Sequence, residues 1–442
     1  MKRVIVSGGG WAGLAAAVEL ARRGIPVLLL ESAGQLGGRA RSVDILDTRL
    51  DNGQHLMIGA YRDMLSLLKT LGVREGDVFQ RLPLELRMQS PAGSGYHLAT
   101  PRLPAPLHLL WGLAGARGLT VAERRQALRM AAGLAAGASG NDDPPLEEFL
   151  RKSPQENVII KKLWEPLCLA MLNTPIGVAS SRVFRRVLRD TFARRRRDSD
   201  LLIPRTDLGA LLPGPAHAFI TSHGGEVRLK QRVTALQVED GRVSGVVLAG
   251  GEALAAEHVI LAVPDTVCQR LLAPHPPLAS IADRLARFRH APICTVYLRY
   301  PPHIRLGTPM AGLLDTTAQW VFDRRLTGNP GVMAVVISSH GPHMALGNDE
   351  LIARIASELA TLNPAWPAPD AAQVIREKRA TLLCHAGIDA LRPGNATPLG
   401  GCWVAGDYTD TGYPSVLEGA VRSGLDCARK IRESNDLIPW LY

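Results

Sequence analysis

The sequence predicts an α/β fold in which a parallel sheet with flanking helices is assembled from separated stretches of the chain. Three observations predict it: a strand, glycine turn, helix and strand at the amino terminus; a run of short apolar strands between Gly224 and Ala262; and an apolar strand ending in Gly406-Asp407 near the carboxyl terminus. A chain of 442 residues is too long for one hydrophobic core, so two joined domains are expected. Apolar residues make up 46% and charged residues 21%, which fits a globular chain and excludes long disordered segments.

The amino-terminal elements come in a fixed order. Arg3 to Ser7 reads as a buried strand, and Gly8, Gly10 and Gly13 follow as GxGxxG. Leu14 to Arg23 then reads as a helix, Pro26 to Leu30 as a second strand, and Glu31 closes it. Gly8 permits the tight turn, Gly10 lets backbone approach a pyrophosphate, and Gly13 lets helix pack on strand. The helix amino terminus offers unpaired N–H groups to phosphate. Glu31 can accept hydrogen bonds from ribose hydroxyls and repels a 2′-phosphate. With strand, turn, helix and acid in register, this Rossmann-like pattern predicts a dinucleotide site.

The later elements extend it. Gly37-Gly38-Arg39 forms a second glycine turn carrying a cation. Gly224 to Val227, Arg232 to Glu239, Arg242 to Leu248 and His258 to Ala262 read as strands, as does Cys402 to Ala405 before Gly406 and Asp407. Val416 to Arg432 reads as a helix, with Ser415 and Glu418 at capping-box spacing. Between these pieces, Pro292 to Tyr300, Met310 to Leu314 and Val332 to Ser338 read as strands and Glu350 to Leu362 as a helix.

The Gly37-Gly38-Arg39 turn resembles the equivalent segment of the flavin amine oxidase and phytoene desaturase superfamily. Longer strings narrow the likeness: Asp51-Asn52-Gly53-Gln54-His55-Leu56, Leu163-Trp164-Glu165-Pro166-Leu167-Cys168, Leu172-Asn173-Thr174-Pro175, Leu202-Ile203-Pro204-Arg205 and Gly406-Asp407-Tyr408-Thr409. Together they resemble, nearly end to end, the squalene-associated FAD-dependent desaturases, which are the hydroxysqualene dehydroxylases of hopanoid biosynthesis. The one departure is Ser415-Val416, where a small residue followed by threonine is expected.

The resemblance implies FAD. It places Gly38 and Arg39 near the FAD phosphates, the backbone of Val233 at the adenine, and Gly406 and Asp407 at the ribityl or pyrophosphate oxygens. The helix beginning at Val416 would aim its positive dipole end at the flavin pyrimidine ring. It also implies a discontinuous FAD-binding domain of residues 1–80, 200–275 and 385–442, and an α+β substrate domain of residues 81–199 and 276–384. The implied reaction is reductive: hydroxysqualene loses its allylic hydroxyl and hydride from reduced FAD gives squalene. An oxidative carotenoid-type desaturase uses the same motifs, and a flavin-free prenyl-binding escort protein shares the fold.

The proton donor is not specified by any motif. His55 follows the loop expected beside the isoalloxazine and is the first candidate general acid; a structural histidine in a turn reads equally well. Asp410, Tyr408 and Tyr413 follow the Gly406-Asp407 turn and are alternatives. Tyr413 can also stabilise a cation through its ring face or merely pack on the flavin.

The surface carries further expectations. Leu103 to Gly115, with Pro104, Pro106, His108 and Trp111, leads into a helix broken by glycines from Leu113 to Gly137, with Arg124, Arg125 and Arg129 on its polar side. This segment reads as a lipid-tunnel mouth at a bilayer interface, or as ordinary domain packing. Arg182, Arg185, Arg186, Arg189 and Arg194 to Arg197 concentrate much of the +10 net charge. An anionic membrane surface would attract them, and a solvated helix face is the plain alternative. Nucleic acid is not expected, since the chain carries no recognisable nucleic-acid module. The six cysteines form no CxxC pair, which speaks against a metal or dithiol site. No signal sequence and no membrane-spanning stretch is read, so a cytoplasmic protein at the inner face of the membrane is expected. A single dinucleotide fingerprint leaves the electron donor as transient NAD(P)H or a separate reductase.

Overall fold

The computed structural model describes residues 3–135 and 142–433. Its cofactor-side sheet has five parallel strands in the order Glu226–Arg228, Val27–Leu30, Val4–Ser7, His258–Leu261 and Cys402–Val404. Four of these are buried at every residue, as parallel strands covered on both faces must be. The first helix, Trp11–Arg22, starts three residues ahead of the expected Leu14. Gly10, in extended conformation, is its cap, so Gly13 lies inside the first turn. Helix Leu417–Glu433 crosses this helix closely, because a Cβ on Gly424 would lie 2.0 Å from the Ala12 carbonyl oxygen.

A second, seven-stranded mixed sheet runs in the order Ala371–Leu382, His290–Arg299, Val332–Ser338, Trp320–Asp323, Met310–Leu313, Glu85–Gln89 and Tyr96–Ala99. Strand Ala371–Leu382 escapes sequence reading because it is polar through Arg376 to Arg379, and its edge position explains why. Helix Asn348–Leu362 covers one face with Leu351, Ile355 and Leu359. The other face turns Ile293, Thr295, Val336 and Ile375 toward the cavity described below.

A helical layer closes the cavity. The single broken helix expected from Leu113 to Gly137 is instead two helices, Leu107–Ala114 and Val121–Ala135; Gly137 lies outside the described residues. Gly118 in the turn between them has φ +83, and a Cβ there would sit 2.3 Å from the Gly95 carbonyl oxygen. A π-helical turn, Ile160–Trp164, runs into helix Glu165–Leu172, and helix Ser181–Phe192 follows. Among the described residues, no helix is long and apolar enough to cross a membrane. All six cysteines are free and buried.

Candidate cofactor and substrate site

The two sheets and the helical layer enclose one cavity of ≈ 990 Å³. Gly8, Gly10, Glu31, Gly38, Arg39, Val233, Gly406, Asp407 and Val416 all line it. Gly13 does not, because its task is packing: a Cβ there would meet the Gly8 carbonyl oxygen at 1.9 Å. Gly8 has φ +111 and backs onto the Ala262 carbonyl, leaving no space for a side chain. Gly10 differs, since a Cβ there would find nothing nearer than the Gly38 Cα at 4.0 Å. The space a side chain would fill beside Gly10 is therefore open to a ligand. The first-turn amides of Trp11 and Ala12, unpaired within the helix, border it.

Charge is arranged to match an anionic dinucleotide. The Glu31 carboxylate accepts from Gly9 N and Ala33 N, both at 2.7 Å, which fixes its orientation on the wall. Arg39 donates to Asp407 Oδ1 at 2.5 Å and to the Ala380 carbonyl at 2.7 Å, joining residues 368 positions apart. These residues fit FAD: glycines where the pyrophosphate needs backbone, an acid at the ribose position and a cation between the two glycine turns.

The Asp51 to Leu56 string is a structural knot beside this wall. Asp51 pairs with Arg324 at 2.8 Å, and both side chains are almost fully buried. Asp51 also accepts from Leu208 N, and its carbonyl accepts from the Tyr297 hydroxyl. Arg324 reaches Gln54 Oε1, and Asn52 donates to the Arg39 carbonyl. The Leu172 to Pro175 string is another knot. Asn173, in left-handed conformation, donates to the Ala291 and Pro292 carbonyls and accepts from Ser339 N.

The three candidate catalytic residues separate. His55 lines the cavity, and its Nδ1–H donates to the Gly53 carbonyl at 3.1 Å. Burial pushes its pKa down, with Arg324 and Arg39 adding to the effect against Asp51 and Gly53. A neutral ring with its proton committed at Nδ1 presents Nε2 to the cavity as an acceptor. That arrangement suits a hydrogen-bond acceptor better than the general acid expected of His55. Asp410 is exposed and absent from the cavity wall, because its backbone N donates to the Pro393 carbonyl and turns the loop outward. Tyr413 does line the cavity and donates its hydroxyl to Asp190 Oδ2 at 3.0 Å. Burial first, and Asp190 second, push its pKa up. One face of its ring already holds the Arg422 guanidinium at 4.4 Å, so that face is not free for a substrate cation.

Two further expectations change. Ser415 and Glu418 form no capping box: Ser415 Oγ accepts from Leu382 N, and the Glu418 carboxylate accepts from Asp63 N and Met64 N, capping the neighbouring helix Arg62–Thr70. The arginine cluster is not a free basic face. Arg182 meets Asp143 and Asp389, Arg194 meets Asp190, Arg196 meets Asp200, and the Arg185 guanidinium lies over the Phe149 ring.

Sequence reasoning missed Asp190 and Arg392. Buried Arg392 holds the Asp407 to Tyr413 loop by donating to the carbonyls of Asp407, Tyr408 and Tyr413. No short motif signals either, because their partners lie 15 to 223 residues away.

The rest of the wall is mostly apolar, with Arg189, Thr191, Ser199 and Thr295 among the exceptions. Leu98, Leu110 and Leu113 face Leu163, Trp164 and Leu167, with Leu188, Phe192, Trp320 and Phe322 completing it. Beside it, Leu107, Trp111 and Val121 are 53%, 68% and 71% exposed, and Arg102, Arg117, Arg125 and Arg129 are exposed nearby.

A family model described as flavin containing amine oxidoreductase matches residues 11–432. The hydroxysqualene dehydroxylases of Rhodopseudomonas palustris and Sinorhizobium fredii are each 28% identical to this chain, over 96% of it and 96% of their own length. The 15-cis-phytoene desaturase of Solanum lycopersicum is 24% identical over 98% of this chain and 78% of its own. An oxidoreductase from Methanosarcina mazei, 15% identical, superimposes with a TM-score of 0.76 over 98% of this chain and 100% of that one. Putrescine oxidase bound to putrescine, 18% identical, gives 0.72 over 98% and 99%. The two structures share the fold. Matched by that family model over nearly its whole length, the chain belongs to the flavin-containing amine oxidoreductases and is an FAD-dependent oxidoreductase.

Proposed function

We propose that this enzyme removes the allylic hydroxyl of hydroxysqualene reductively, giving squalene for hopanoid biosynthesis. The observation that carries the reading is one cavity whose wall is polar and glycine-rich around Gly10 and Arg39 and mostly apolar where Leu98, Leu163, Leu167 and Phe322 line it. Likeness to the hydroxysqualene dehydroxylases along nearly the whole chain supports it.

In this reading Gly8, Gly10 and Gly38 accommodate the pyrophosphate, Glu31 holds the ribose, Val233 the adenine, and Arg39, Gly406 and Asp407 the linking oxygens, with Val416 beside the ring system. Residues 1–80, 200–275 and 385–442 form the FAD domain; residues 81–199 and 276–384 form the substrate domain. Bound and reduced, FAD supplies the hydride that replaces the hydroxyl. The apolar wall keeps water from the allylic cation left when the C–O bond breaks. Tyr413 stays protonated and gives its proton to the departing oxygen. His55, through Nε2, accepts the hydrogen bond of the substrate hydroxyl before it leaves.

The exposed Leu107, Trp111 and Val121, ringed by arginines, suit a shallow seat on an anionic membrane from which a lipid enters. The electron donor is NAD(P)H or a reductase.

Product analysis tests the reaction. Chemically reduced holoenzyme given hydroxysqualene should yield squalene as flavin colour returns; hydroxysqualene left unchanged overturns the assignment. Likeness to phytoene desaturases favours a second reading, oxidative desaturation. Conversion of phytoene by the oxidised enzyme, with hydroxysqualene untouched, would establish it.

A further inference from the structure

Resting on the reductive reading above, we propose that Asp190 relays solvent protons to Tyr413. Dehydroxylation breaks a C–O bond, forms a C–H bond with hydride from the reduced flavin, and releases the oxygen as water. The substrate carbon is reduced, the flavin is oxidised, and one further proton must reach the departing hydroxyl. It has to cross a wall that is mostly apolar, although Arg189, Thr191 and Ser199 also line it.

The Tyr413–Asp190 hydrogen bond crosses that wall. The Tyr413 hydroxyl donates to Asp190 Oδ2 at 3.0 Å, and both residues are buried. Asp190 lies on helix Ser181–Phe192, whose Val187, Leu188 and Thr191 line the cavity. Its other oxygen, Oδ1, is buried and makes no hydrogen bond, although Arg194 Nε lies 3.1 Å away; the Asp190 side chain as a whole is 11% exposed. The pair thus joins the cavity to a carboxylate that keeps a small exposure to solvent.

At rest the phenol donates to the carboxylate. When a solvent proton arrives at Asp190, the bond reverses: the acid O–H donates to the phenol oxygen, and the Tyr413 O–H is freed toward the cavity. Transfer of that proton to the departing hydroxyl makes water, and Asp190 returns its own proton to Tyr413. Asp190 touches neither substrate nor flavin and is a positioning and relay residue. The groups that face it are Arg189 and Arg194 along its own chain segment, Arg62 from helix Arg62–Thr70, and Tyr413. Arg422, Glu418 and Tyr61 face Tyr413 in turn.

The test follows return of oxidised flavin in a single turnover of reduced holoenzyme with hydroxysqualene. Asp190→Asn should keep its flavin and its melting temperature but turn over about 10²-fold more slowly. The wild-type rate should show a solvent deuterium isotope effect from the relayed proton, and the variant should change it. Asp190→Ala should be slow and accelerated by added formate or acetate buffer. Wild-type speed in Asp190→Asn overturns the relay, as does a slow variant with an unchanged solvent isotope effect and no carboxylate rescue. Failure of the wild type itself to convert hydroxysqualene would instead remove the reaction on which the relay rests.

Discussion

Along the cofactor wall the cavity is bounded by backbone: Gly8, Gly10 and Gly38 line it because no Cβ stands in the way. Across from it the boundary is side chain, with Leu110, Leu167, Phe192 and Trp320 each reaching in from a different element. A backbone wall has its shape set by sterics over a few residues, so it tolerates almost no substitution. A side-chain wall is set by packing among distant segments, so its members can change one at a time. The first is suited to an invariant nucleotide and the second to a flexible chain.

The largest effect that breaks this comparison is at Gly13. Its Cβ would overlap the Gly8 carbonyl oxygen, so Gly13→Ala should cost about 4–5 kcal/mol and abolish folded holoprotein. Gly10→Ala is the sharpening control, because its Cβ meets nothing within the protein. That variant should melt near the wild type yet retain flavin at least roughly tenfold less tightly, since the added methyl occupies ligand space. Thermal melting and flavin absorbance separate the two. A Gly10→Ala protein with full flavin would show that the open space at Gly10 is not used.

What could be read in the sequence follows the same division. Gly8, Gly10, Gly13 and Glu31 lie within one strand–helix–strand unit, so their spacing alone predicts their geometry. Asp190 was hidden in the opposite way. It sits among arginines between Arg182 and Arg197, a stretch read as a basic face, and its partner Tyr413 is 223 residues away. The capping box at Ser415 and Glu418 failed for a related reason. Glu418 has the right spacing for its own helix, but tertiary packing gives it better donors on Arg62–Thr70. The division of Leu113 to Gly137 into two helices turned on Gly118, whose close approach to Gly95 only the folded chain shows.

Glu418 supplies the next effect. It is fully buried behind the cofactor wall, and burial raises its pKa to about 7 against the two backbone N–H groups and Arg422 that lower it. A carboxyl whose folded pKa is raised stabilises the fold fully below its unfolded value near 4.5, and that contribution is lost as pH rises through 7. Stability should therefore fall by about 3 kcal/mol across this window. Glu418→Gln, which cannot ionise, should flatten the slope while losing about 1 kcal/mol at low pH, because one amide oxygen replaces two acceptors. Denaturant midpoints measured along the pH series check this. An unchanged slope in the variant would assign the pH dependence to another group.

The smallest effect belongs to the substrate wall. Leu110 lines the cavity from helix Leu107–Ala114, partly exposed and remote in sequence from every glycine of the cofactor wall. Leu110→Ala removes apolar surface that meets the chain of the substrate equally before and during reaction. It should raise KM roughly fivefold, about 1 kcal/mol, and leave kcat almost unchanged. Flavin content should not move, because nothing in the cofactor wall leans on Leu110. A joint loss of flavin and activity would mean that the two walls are mechanically coupled, and the separation between an invariant backbone cradle and an adjustable apolar wall would no longer describe this cavity.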